Sequence, residues 1–384
     1  MEWKDVRLGD ILNFRRGHDL PHSAMKPGNI PVAGSNGVIG YHDTATPIKP
    51  ILTIGRSGNV GKPYFYEEAW AHNTTLYVDD FKGNDPKFLY YLCQTMPFAN
   101  FGGGSAVPTL NRNHIHPLET KIPVKVEDQR RIASILSSLD RKIELNNKIN
   151  ADLEEMAQAI FKNWFVDFEP FKDGKFVDSE LGMIPEGWKV VTLDDLTSKF
   201  GTGLNPRKNF VLGHGNNYYV TIKNMGNNRI YLNDRCDKVD DEALVKINKR
   251  SKLQKGDLLF SGIGTIGRVA MVVDDPVNWN TSESVFNMHP IDTVSSEFIY
   301  LLLLSDKFQQ YVQQNAQGGV QQGIRMASLK AFLFAIPDDL NLFDNLVKPI
   351  ISKIKNNDKE NDTLSLLRDT LLPRLMSGEI EVPE

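Results

Sequence analysis

The first stretch whose residues could do chemistry is the glycine-rich segment 55–63, which reads GRSGNVGKP. A phosphate-binding P-loop has four residues between its glycines and then Lys-Ser or Lys-Thr, whose hydroxyl reaches magnesium. Here the spacing from Gly55 to Gly61 is one residue too long, and Pro63 has no hydroxyl, so we exclude nucleotide hydrolysis. A tight glycine turn could instead present donors to a DNA backbone or base edge; a β-hairpin with no binding role is the alternative. The donors in this stretch are Arg56, Ser57, Asn59 and Lys62.

A second glycine-rich stretch, at 102–113 (GGGSAVPTLNRN), has a counterpart at 317–325 (QGGVQQGIR). In both, flexible backbone precedes amide and guanidinium side chains, which suit contacts with phosphates and with the edges of adenine or guanine. For any single residue, a glycine-rich loop that only caps the following strand is the alternative.

The sequence lacks the residue patterns that other catalytic and metal-binding sites require. His114 and His116 form one histidine pair and His18 and His22 another, but neither has the nearby cysteine or acidic cluster that completes a ligand set. The sequence has no GxSxG elbow, no nuclease-like cluster of acids with a lysine, and no Asn/Asp-Pro-Pro-aromatic loop of a DNA methylase. We therefore expect no catalytic residue, no bound metal and no cofactor in this chain.

Length, charge and cysteine content bound the class of protein. A chain of 384 residues suits two or three domains. The net charge of -4 gives no overall attraction to nucleic acid, so a DNA-binding surface would have to concentrate its basic groups locally. The two cysteines form no CxxC motif, the N-terminus is polar, and the longest apolar run, 298–304, is far shorter than the ~20 residues that cross a bilayer. We expect a cytoplasmic protein without a membrane segment.

The element expected to position these stretches is a long helix at 127–165. Its apolar residues recur in alternating steps of four and three, which is the heptad pattern of a coiled coil. The same pattern recurs 211 residues later, where Ile354 corresponds to Ile143. The first seam is Ile132, Leu136, Leu139, Ile143, Asn146, Asn150, Leu153, Ala157, Ile160 and Trp164. The second seam is Phe343, Val347, Ile350, Ile354, Asn357, Asn361, Leu364, Arg368, Leu371 and Leu375.

Each seam carries two central asparagines, which cost stability but specify register because a buried amide needs a polar partner. We therefore predict that the two helices pair at a shared polar layer, parallel or antiparallel, as a rod of about 50 Å. The alternative is an independent amphipathic helix on each domain. Arg368 stands where the first seam has Ala157, and Leu367 beside it could cover the seam.

The chain contains an internal duplication in the order domain, helix, domain, helix. Five short matches carry it: 3–11 with 188–196, 58–62 with 264–268, 73–75 with 280–282, 88–90 with 298–300, and 122–123 with 336–337. Runs of β-branched and aromatic residues predict strands at 51–54, 62–66, 76–79, 218–222 and 269–273, and capping residues predict helices at 87–95 and 298–304. The predicted boundaries are a first α+β domain at 1–126, a helix at 127–168, a linker at 169–187, a second α+β domain at 188–338 and a helix at 339–384.

Five motifs together resemble the specificity subunits of type I restriction-modification systems. They are 35–41 (SNGVIGY), 55–61 (GRSGNVG), 107–111 (VPTLN), 127–132 (EDQRRI) and 179–188 (SELGMIPEGW). With the duplication, the resemblance spans nearly the whole chain. The second half departs from the pattern, because 35–41 has no clear counterpart there, Gln322 replaces Pro108 and Arg325 replaces Asn111.

The resemblance implies a non-catalytic, DNA-reading subunit of α+β fold. Two tandemly repeated target recognition domains would be separated by two long helices that pair as an antiparallel coiled coil, in a pseudo-twofold, circular organisation. Each domain would read one half of a bipartite asymmetric site in double-stranded DNA, and the helices would set the spacer and dock two methylase subunits. Those subunits bind S-adenosylmethionine, and motor-nuclease subunits add restriction. The alternative is a protein-binding scaffold without DNA specificity.

On this interpretation, we expect polar side chains of both halves to contact DNA. They are Arg15, Arg16, Ser35, Asn36, Arg56, Ser57, Asn59, Lys62, Asn73, Arg112 and Asn113 in the first half, and Lys208, Lys223, Asn224, Thr265, Arg268, Asn280, Gln321, Gln322 and Arg325 in the second.

Overall fold

The computed structural model describes residues 1–103, 108–319 and 322–382, and their packing divides the chain into two compact units. The first unit comprises Met1–Asn146 and Lys359–Glu384, and the second comprises Asn147–Asp358. Each unit therefore contains a segment of both long helices. The domain boundaries predicted above follow the sequence repeat instead, assign the helices to regions of their own, and stay a prediction.

The first unit begins with twelve short strands and helices and then enters the first long helix. These elements are β1 (Trp3–Arg7), α1 (Leu8–Ile11), β2 (Asn13–Arg16), β3 (Ile30–Gly34), β4 (Gly37–His42), β5 (Ile51–Gly55), β6 (Pro63–Tyr66), β7 (Trp70–Ala71), β8 (Thr75–Asp80), α2 (Pro86–Thr95), α3 (Arg112–Ile115), β9 (Glu119–Pro123) and α4 (Val126–Phe165).

The second unit continues from α4 and ends within the second long helix. Its elements are β10 (Phe176–Ser179), β11 (Gly182–Pro185), β12 (Lys189–Thr192), β13 (Thr197–Thr202), β14 (Asn217–Val220), β15 (Met225–Gly226), β16 (Arg229–Ile230), β17 (Asp237–Val239), α5 (Asp241–Ser251), β18 (Leu258–Ser261), β19 (Val269–Met271), β20 (Trp279–Thr281), β21 (Val285–Pro290), α6 (Ser296–Leu304), α7 (Asp306–Asn315), α8 (Met326–Lys330), β22 (Leu333–Ile336) and α9 (Asn341–Met376).

The same sheet arrangement occurs in both units. In the first, β1 pairs with β9, a four-stranded antiparallel sheet has the order β2-β8-β5-β6, and β3 lies antiparallel to β4 and parallel to β7. In the second, β12 pairs with β22, the four-stranded order is β13-β21-β18-β19, and β14 lies antiparallel to β17 and parallel to β20. Matching strand orders and directions confirm the predicted duplication and the mixed α+β class.

The two predicted short helices begin with equivalent N-cap hydrogen bonds. The Asp85 carboxylate accepts a hydrogen bond from the Phe88 amide at 2.8 Å at the start of α2, and the Ser295 hydroxyl accepts one from the Phe298 amide at 3.1 Å at the start of α6. Such a cap satisfies an amide that has no partner inside the helix. Both predicted helices, and the strands predicted at 51–54, 62–66, 76–79, 218–222 and 269–273, are confirmed to within two residues at each end.

Each unit buries an apolar core against its segments of α4 and α9. In the first core Phe14 and Phe88 pack with Leu136 of α4 and Leu375 of α9. The second core is aromatic: the ring of Phe165 on α4 lies 4.8 Å from that of Phe343 on α9 and 5.1 Å from that of Phe298. The long helices thus supply core residues in both units.

One predicted match of the duplication, 73–75 with 280–282, is wrong. The amide of His72 donates to the Ala33 carbonyl at 3.0 Å, and the amide of Ser282 donates to the Val220 carbonyl at 2.8 Å. These bonds close equivalent parallel strand pairs, so Ser282 is the counterpart of His72 and Asn280 lies within strand β20. An Asn-Thr match of this length carries no information on whether it lies in the strand or in the turn that follows.

Within the described ranges, no helix combines the length and the apolar character needed to cross a membrane. In the same residues, no group of three or more His, Cys, Asp or Glu side chains is arranged to hold a metal ion.

Candidate nucleic-acid interface

The glycine turn of the first unit connects β5 to β6 and is closed by its own backbone. The Gly55 amide donates to the Lys62 carbonyl at 3.0 Å, and the Gly61 amide donates to the Gly55 carbonyl at 2.7 Å. A Cβ on Gly55 would lie 1.8 Å from the Asn59 carbonyl oxygen, so only glycine fits there. The turn leaves Asn59 and Lys62 exposed at its surface.

Three other segments lie against this turn. The Leu110 amide donates to the Arg56 carbonyl at 2.7 Å, and the Arg56 amide donates to the Thr74 carbonyl at 2.8 Å. The β3–β4 hairpin turn, Ser35 and Asn36, is also close, because the Ser35 carbonyl oxygen lies 3.3 Å from the position of a Cβ on Gly55. The structure therefore gathers sequence motifs that are separated by up to 75 residues, and Asn36 is exposed at the hairpin tip.

Two arginines lie beside the turn. The Arg56 guanidinium donates to the Asn73 carbonyl at 3.4 Å, and Arg16 forms an ion pair with Asp19 at 3.5 Å. Burial, together with the neighbouring positive charge of Arg16, lowers the pKa of Arg56. The Asn73 amide also donates to Asp19. Two guanidinium groups held close together, one of them half-buried, favour an anion such as a phosphate or the acceptor edge of guanine.

The remaining predicted contacts of the first unit lie in β2, in α3 and in the glycine turn itself. Arg15 forms an ion pair with Asp79 at 3.4 Å and is largely exposed. The Arg112 guanidinium donates to the Phe14 carbonyl at 3.2 Å, next to Arg15 in the chain, and Asn113 is exposed on the same short helix. The Ser57 backbone bridges to Thr109, leaving its side chain half-buried.

The second unit builds the same turn between β18 and β19. The Ser261 amide donates to the Arg268 carbonyl at 2.9 Å, and the Gly267 amide donates to the Ser261 carbonyl at 3.0 Å. The Gly264 amide donates to the Gln322 carbonyl at 2.7 Å. Thr265 at the tip, and Gln322 and Arg325 beside it, are exposed. Gln321 lies outside the described residues.

The second unit differs at the position of the β3–β4 hairpin. The two-residue turn is replaced by a 16-residue insertion, 221–236, between β14 and β17. The Arg268 guanidinium donates to two carbonyls of this insertion, Ile222 at 2.8 Å and Met225 at 2.5 Å. Arg268 therefore holds the insertion, while Lys223 on it is exposed, as is Lys208 in the loop after β13.

Two predicted DNA contacts are contradicted by burial. Asn280 is 0% exposed, and its amide donates to the Asn248 side chain at 2.7 Å and to the Ser251 carbonyl at 2.9 Å. Asn224 is 4% exposed and accepts from the Thr221 amide at 2.9 Å. Both side-chain amides form hydrogen bonds within the second unit, so neither is available to DNA in this structure.

In each unit the segments of α4 and α9 meet through asparagines. In the first unit the Asn146 amide donates to the Asn361 oxygen at 2.9 Å, and in the second the Asn357 amide donates to the Asn150 oxygen at 2.8 Å. All four side chains are buried. The two bonds are counterparts under the sequence repeat, since in both the first asparagine of one seam donates to the second asparagine of the other.

Every predicted seam residue is buried or half-buried in its own unit. The arrangement around Arg368 was missed, because its guanidinium forms an ion pair with Asp140 at 2.9 Å and the Tyr91 hydroxyl donates to the same carboxylate at 2.5 Å. Leu367 is 45% exposed, so the prediction that it covers the seam is wrong. The break in the apolar seam at Arg368 was the sequence signal for a polar partner on α4.

Comparisons with known proteins agree with this architecture. A family model described as the type I restriction modification DNA specificity domain matches residues 1–155 and 185–369. The MjaIX specificity subunit of Methanocaldococcus jannaschii is 30% identical over 312 residues, 78% of this chain and 70% of that protein. The HindI specificity subunit of Haemophilus influenzae is 27% identical over 450 aligned positions, covering 98% and 94% of the two chains. The crystal structure of a type I S subunit from M. genitalium has the same fold, with a TM-score of 0.61 at 15% identity over 98% of this chain and 96% of that one.

Proposed function

The chain belongs to the type I restriction-modification DNA specificity family, whose model matches both halves, and we propose that each half reads one part of a bipartite DNA site. Its function is that of the DNA sequence-specificity subunit of a type I restriction-modification system. The chain itself would carry out no catalysis, and it would act on double-stranded DNA in the cytoplasm.

The observation that carries the two-site proposal is the recurrence of one loop arrangement with different side chains. Both units close a glycine turn on a second glycine-rich stretch, through Gly58 with Pro108 in one and Gly264 with Gln322 in the other. The first turn is flanked by Arg16 and Arg56, whereas the second has Gly262 at the position of Arg56. A shared backbone scaffold with different donors suits two readers of unlike sequences, because base edges are distinguished by their donor and acceptor patterns.

The proposed DNA-contacting set consists of the exposed and half-buried polar residues around these turns. It comprises Arg15, Arg16, Ser35, Asn36, Arg56, Ser57, Asn59, Lys62, Asn73, Arg112 and Asn113 in the first unit, and Lys208, Lys223, Thr265, Gln322 and Arg325 in the second. The Arg and Lys side chains of this set are concentrated around the two turns, in a chain whose net charge is -4. Phosphate contacts would set the position of each domain, and contacts with base edges would set its preference.

For the long helices we propose an antiparallel coiled coil with pseudo-twofold organisation that sets the distance between the two half-sites. The support comes from each unit separately. In the first unit Asp140 and Asn146 advance along α4 while their partners Arg368 and Asn361 recede along α9. In the second unit Asn150 and Phe165 advance along α4 while their partners Asn357 and Phe343 recede along α9. A rod of about 50 Å is long enough to separate two readers by one DNA turn of about 34 to 36 Å. Its length would then fix the gap in the site.

We further propose that the helices dock two methylase subunits, which bind S-adenosylmethionine, and that motor-nuclease subunits join the restricting complex. The support is the family membership itself. The chemistry is assigned to the partners by that membership alone.

The experiment that tests the function co-expresses the chain with its methylase subunit in a host without adenine methylation and maps N6-methyladenine across the genome. The expected result is a two-part motif with a fixed gap, on a reporter plasmid as well as on the chromosome. Methylation without sequence preference, in the presence of a stable complex, would contradict the proposal.

A protein-binding scaffold is distinguished by DNA binding of the purified complex at several salt concentrations. Neutralisation of several phosphates releases counterions, so the logarithm of the binding constant should fall linearly and steeply with the logarithm of salt concentration. A scaffold would show weak binding, without preference between the mapped site and a scrambled duplex.

A further inference from the structure

The second unit contains a cleft that the DNA-reading function does not use. It has a volume of about 320 Å³ and lies between the α4 segment, α6 and the β15–β16 hairpin of the insertion, with Ile351 of α9 at its base. This volume is at the lower end of the range for small-molecule sites. It would accommodate one long side chain.

The cleft is lined by apolar and acidic side chains. The lining includes the apolar Leu304 and Ile351, the exposed Ala151, and two acids, the half-buried Glu154 and the exposed Glu155. The carboxylate of Glu154 accepts a hydrogen bond from the Asn228 amide at 3.1 Å. Apolar surface leading to a carboxylate matches a lysine or arginine side chain, which packs its methylenes and directs its charge to an acceptor.

The charge of Glu154 is not balanced within the unit. Among the described residues no Lys, Arg or His lies within ion-pair distance of its carboxylate, and the neighbouring acid, Asp358, is itself paired with Arg229 at 3.5 Å. Burial, together with the negative charge of Asp358, raises the pKa of Glu154. A half-buried carboxylate without a cation is unfavourable, and a cationic group entering the cleft would remove that penalty.

The insertion preorganises Asn228 beside Glu154. Asn227 and Asn228 form the two-residue turn of the β15–β16 hairpin and have positive φ angles of 46° and 55°, as a type I′ turn requires. This turn aims the Asn228 amide at Glu154, and Arg229 next to it holds Asp358 on α9. The corresponding turn of the first unit is the short β3–β4 hairpin, so the cleft is built by a feature of the second domain alone.

We propose that the cleft receives a lysine or arginine side chain of a methylase subunit, its stem against Leu304 and Ile351 and its charged head on the Glu154 carboxylate. This inference rests on the proposed function, which supplies the partner. DNA is excluded as the occupant because an acidic cleft repels phosphates. Pairing with the Glu154 carboxylate would favour one position of the methylase subunit on this unit.

The test measures the affinity of the purified full chain for the purified methylase subunit by calorimetry, with three variants that each change the net charge by one unit in the same direction. Glu154→Gln removes the charge but keeps an oxygen for Asn228. Ala151→Arg, on an exposed helix position, provides an internal cation and narrows the cleft. Asp152→Asn, exposed on the same helix outside the cleft, is the matched control.

The expected result is a methylase affinity weakened about tenfold or more by Glu154→Gln and by Ala151→Arg, and less than about twofold by Asp152→Asn. No variant should reduce the hydrogen-exchange protection of the second unit. Wild-type affinity in the first two variants would overturn the inference while leaving the proposed function intact. Equal weakening by all three would also overturn it, since the effect would then be one of net charge. Binding of putrescine that depends on Glu154, with methylase affinity unaffected, would assign the cleft to a free amine instead. No methylase binding by the wild-type chain would overturn the proposed function as well.

Discussion

The cluster of Tyr91, Asp140 and Arg368 gives the sharpest test of how the helices are held in the first unit. Replacing Arg368 by Ala removes the ion pair of 2.9 Å and leaves the Asp140 carboxylate, 19% exposed, with the Tyr91 hydroxyl as its partner. The arginine is 28% exposed, so water replaces it only in part. Although burial lowers the pKa of Arg368, its hydrogen bonds with Asp140 and Asp369 outweigh burial and raise it. Loss of such a charged hydrogen bond costs about 2 kcal/mol.

The second unit shows how the same position is filled without charge. At the corresponding positions it has Leu301, Ile351 and Ala157, all buried in its apolar core. The triple variant Tyr91→Leu, Asp140→Ile, Arg368→Ala transfers that solution to the first unit. Replacing a buried charge network by apolar residues is often neutral or stabilising, so the triple variant should recover at least half of the loss.

The assay is hydrogen exchange of the intact chain, read as local unfolding free energies of the amides around Asp140 and Arg368, because a chain of two units has no single two-state transition. The control is Lys142→Ala, which breaks an exposed ion pair with Glu360 in the same unit and should cost less than about 1 kcal/mol. If the triple variant is no more stable than Arg368→Ala, or if Arg368→Ala costs no more than the control, the reasoning about the buried carboxylate is refuted.

Three further predictions follow from named contacts. Replacing Asn146 and Asn361 together by Leu should leave the helices folded but change the helix pairing or the gap of the methylated site, which is measured by mapping methylation; an unchanged gap and unchanged assembly would contradict the register argument. Arg56→Ala should relax or weaken recognition of the first half-site by about 1–3 kcal/mol while the second half-site keeps its preference, measured on duplexes altered in one half at a time; equal loss at both would mean that the residue holds phosphates or the fold. The His116 ring accepts from the Phe14 amide at 3.1 Å, and burial, with the positive charge of Arg112, lowers its pKa below the ordinary value of 6.5. The neutral ring therefore stabilises the folded state above about pH 6.5, and this stability is lost as the pH falls. The local unfolding free energy around Phe14, measured by hydrogen exchange, should therefore depend less on pH in His116→Leu than in the wild type; an equal dependence would show that His116 is not the titrating group.

Local patterns predicted much of the architecture, because they depend on periodicity and on caps that are close in sequence. The seams of α4 and α9, with Asn146 and Asn150 and their counterparts, follow from a heptad register that is independent of the rest of the chain. The glycine turn was recognisable for the same reason, since the close approach of Gly55 to the Asn59 carbonyl is decided within five residues. The duplication then extended these local conclusions to the second half.

The tertiary structure alone decided which polar side chains remain available. Asn280 and Asn73 are alike as sequence, but one lies in a buried strand and the other in a turn, because burial depends on strands that are distant in the chain. Arg268 matched Lys62 in the repeat, yet it is bound to carbonyls of an insertion that the first half lacks. The partner of Arg368 is 228 residues away, and the Glu154 cleft joins four parts of the second unit. The sequence by itself therefore determined the repeat, the helical register and the glycine turns, whereas long-range packing determined which charges are paired and which are left to bind.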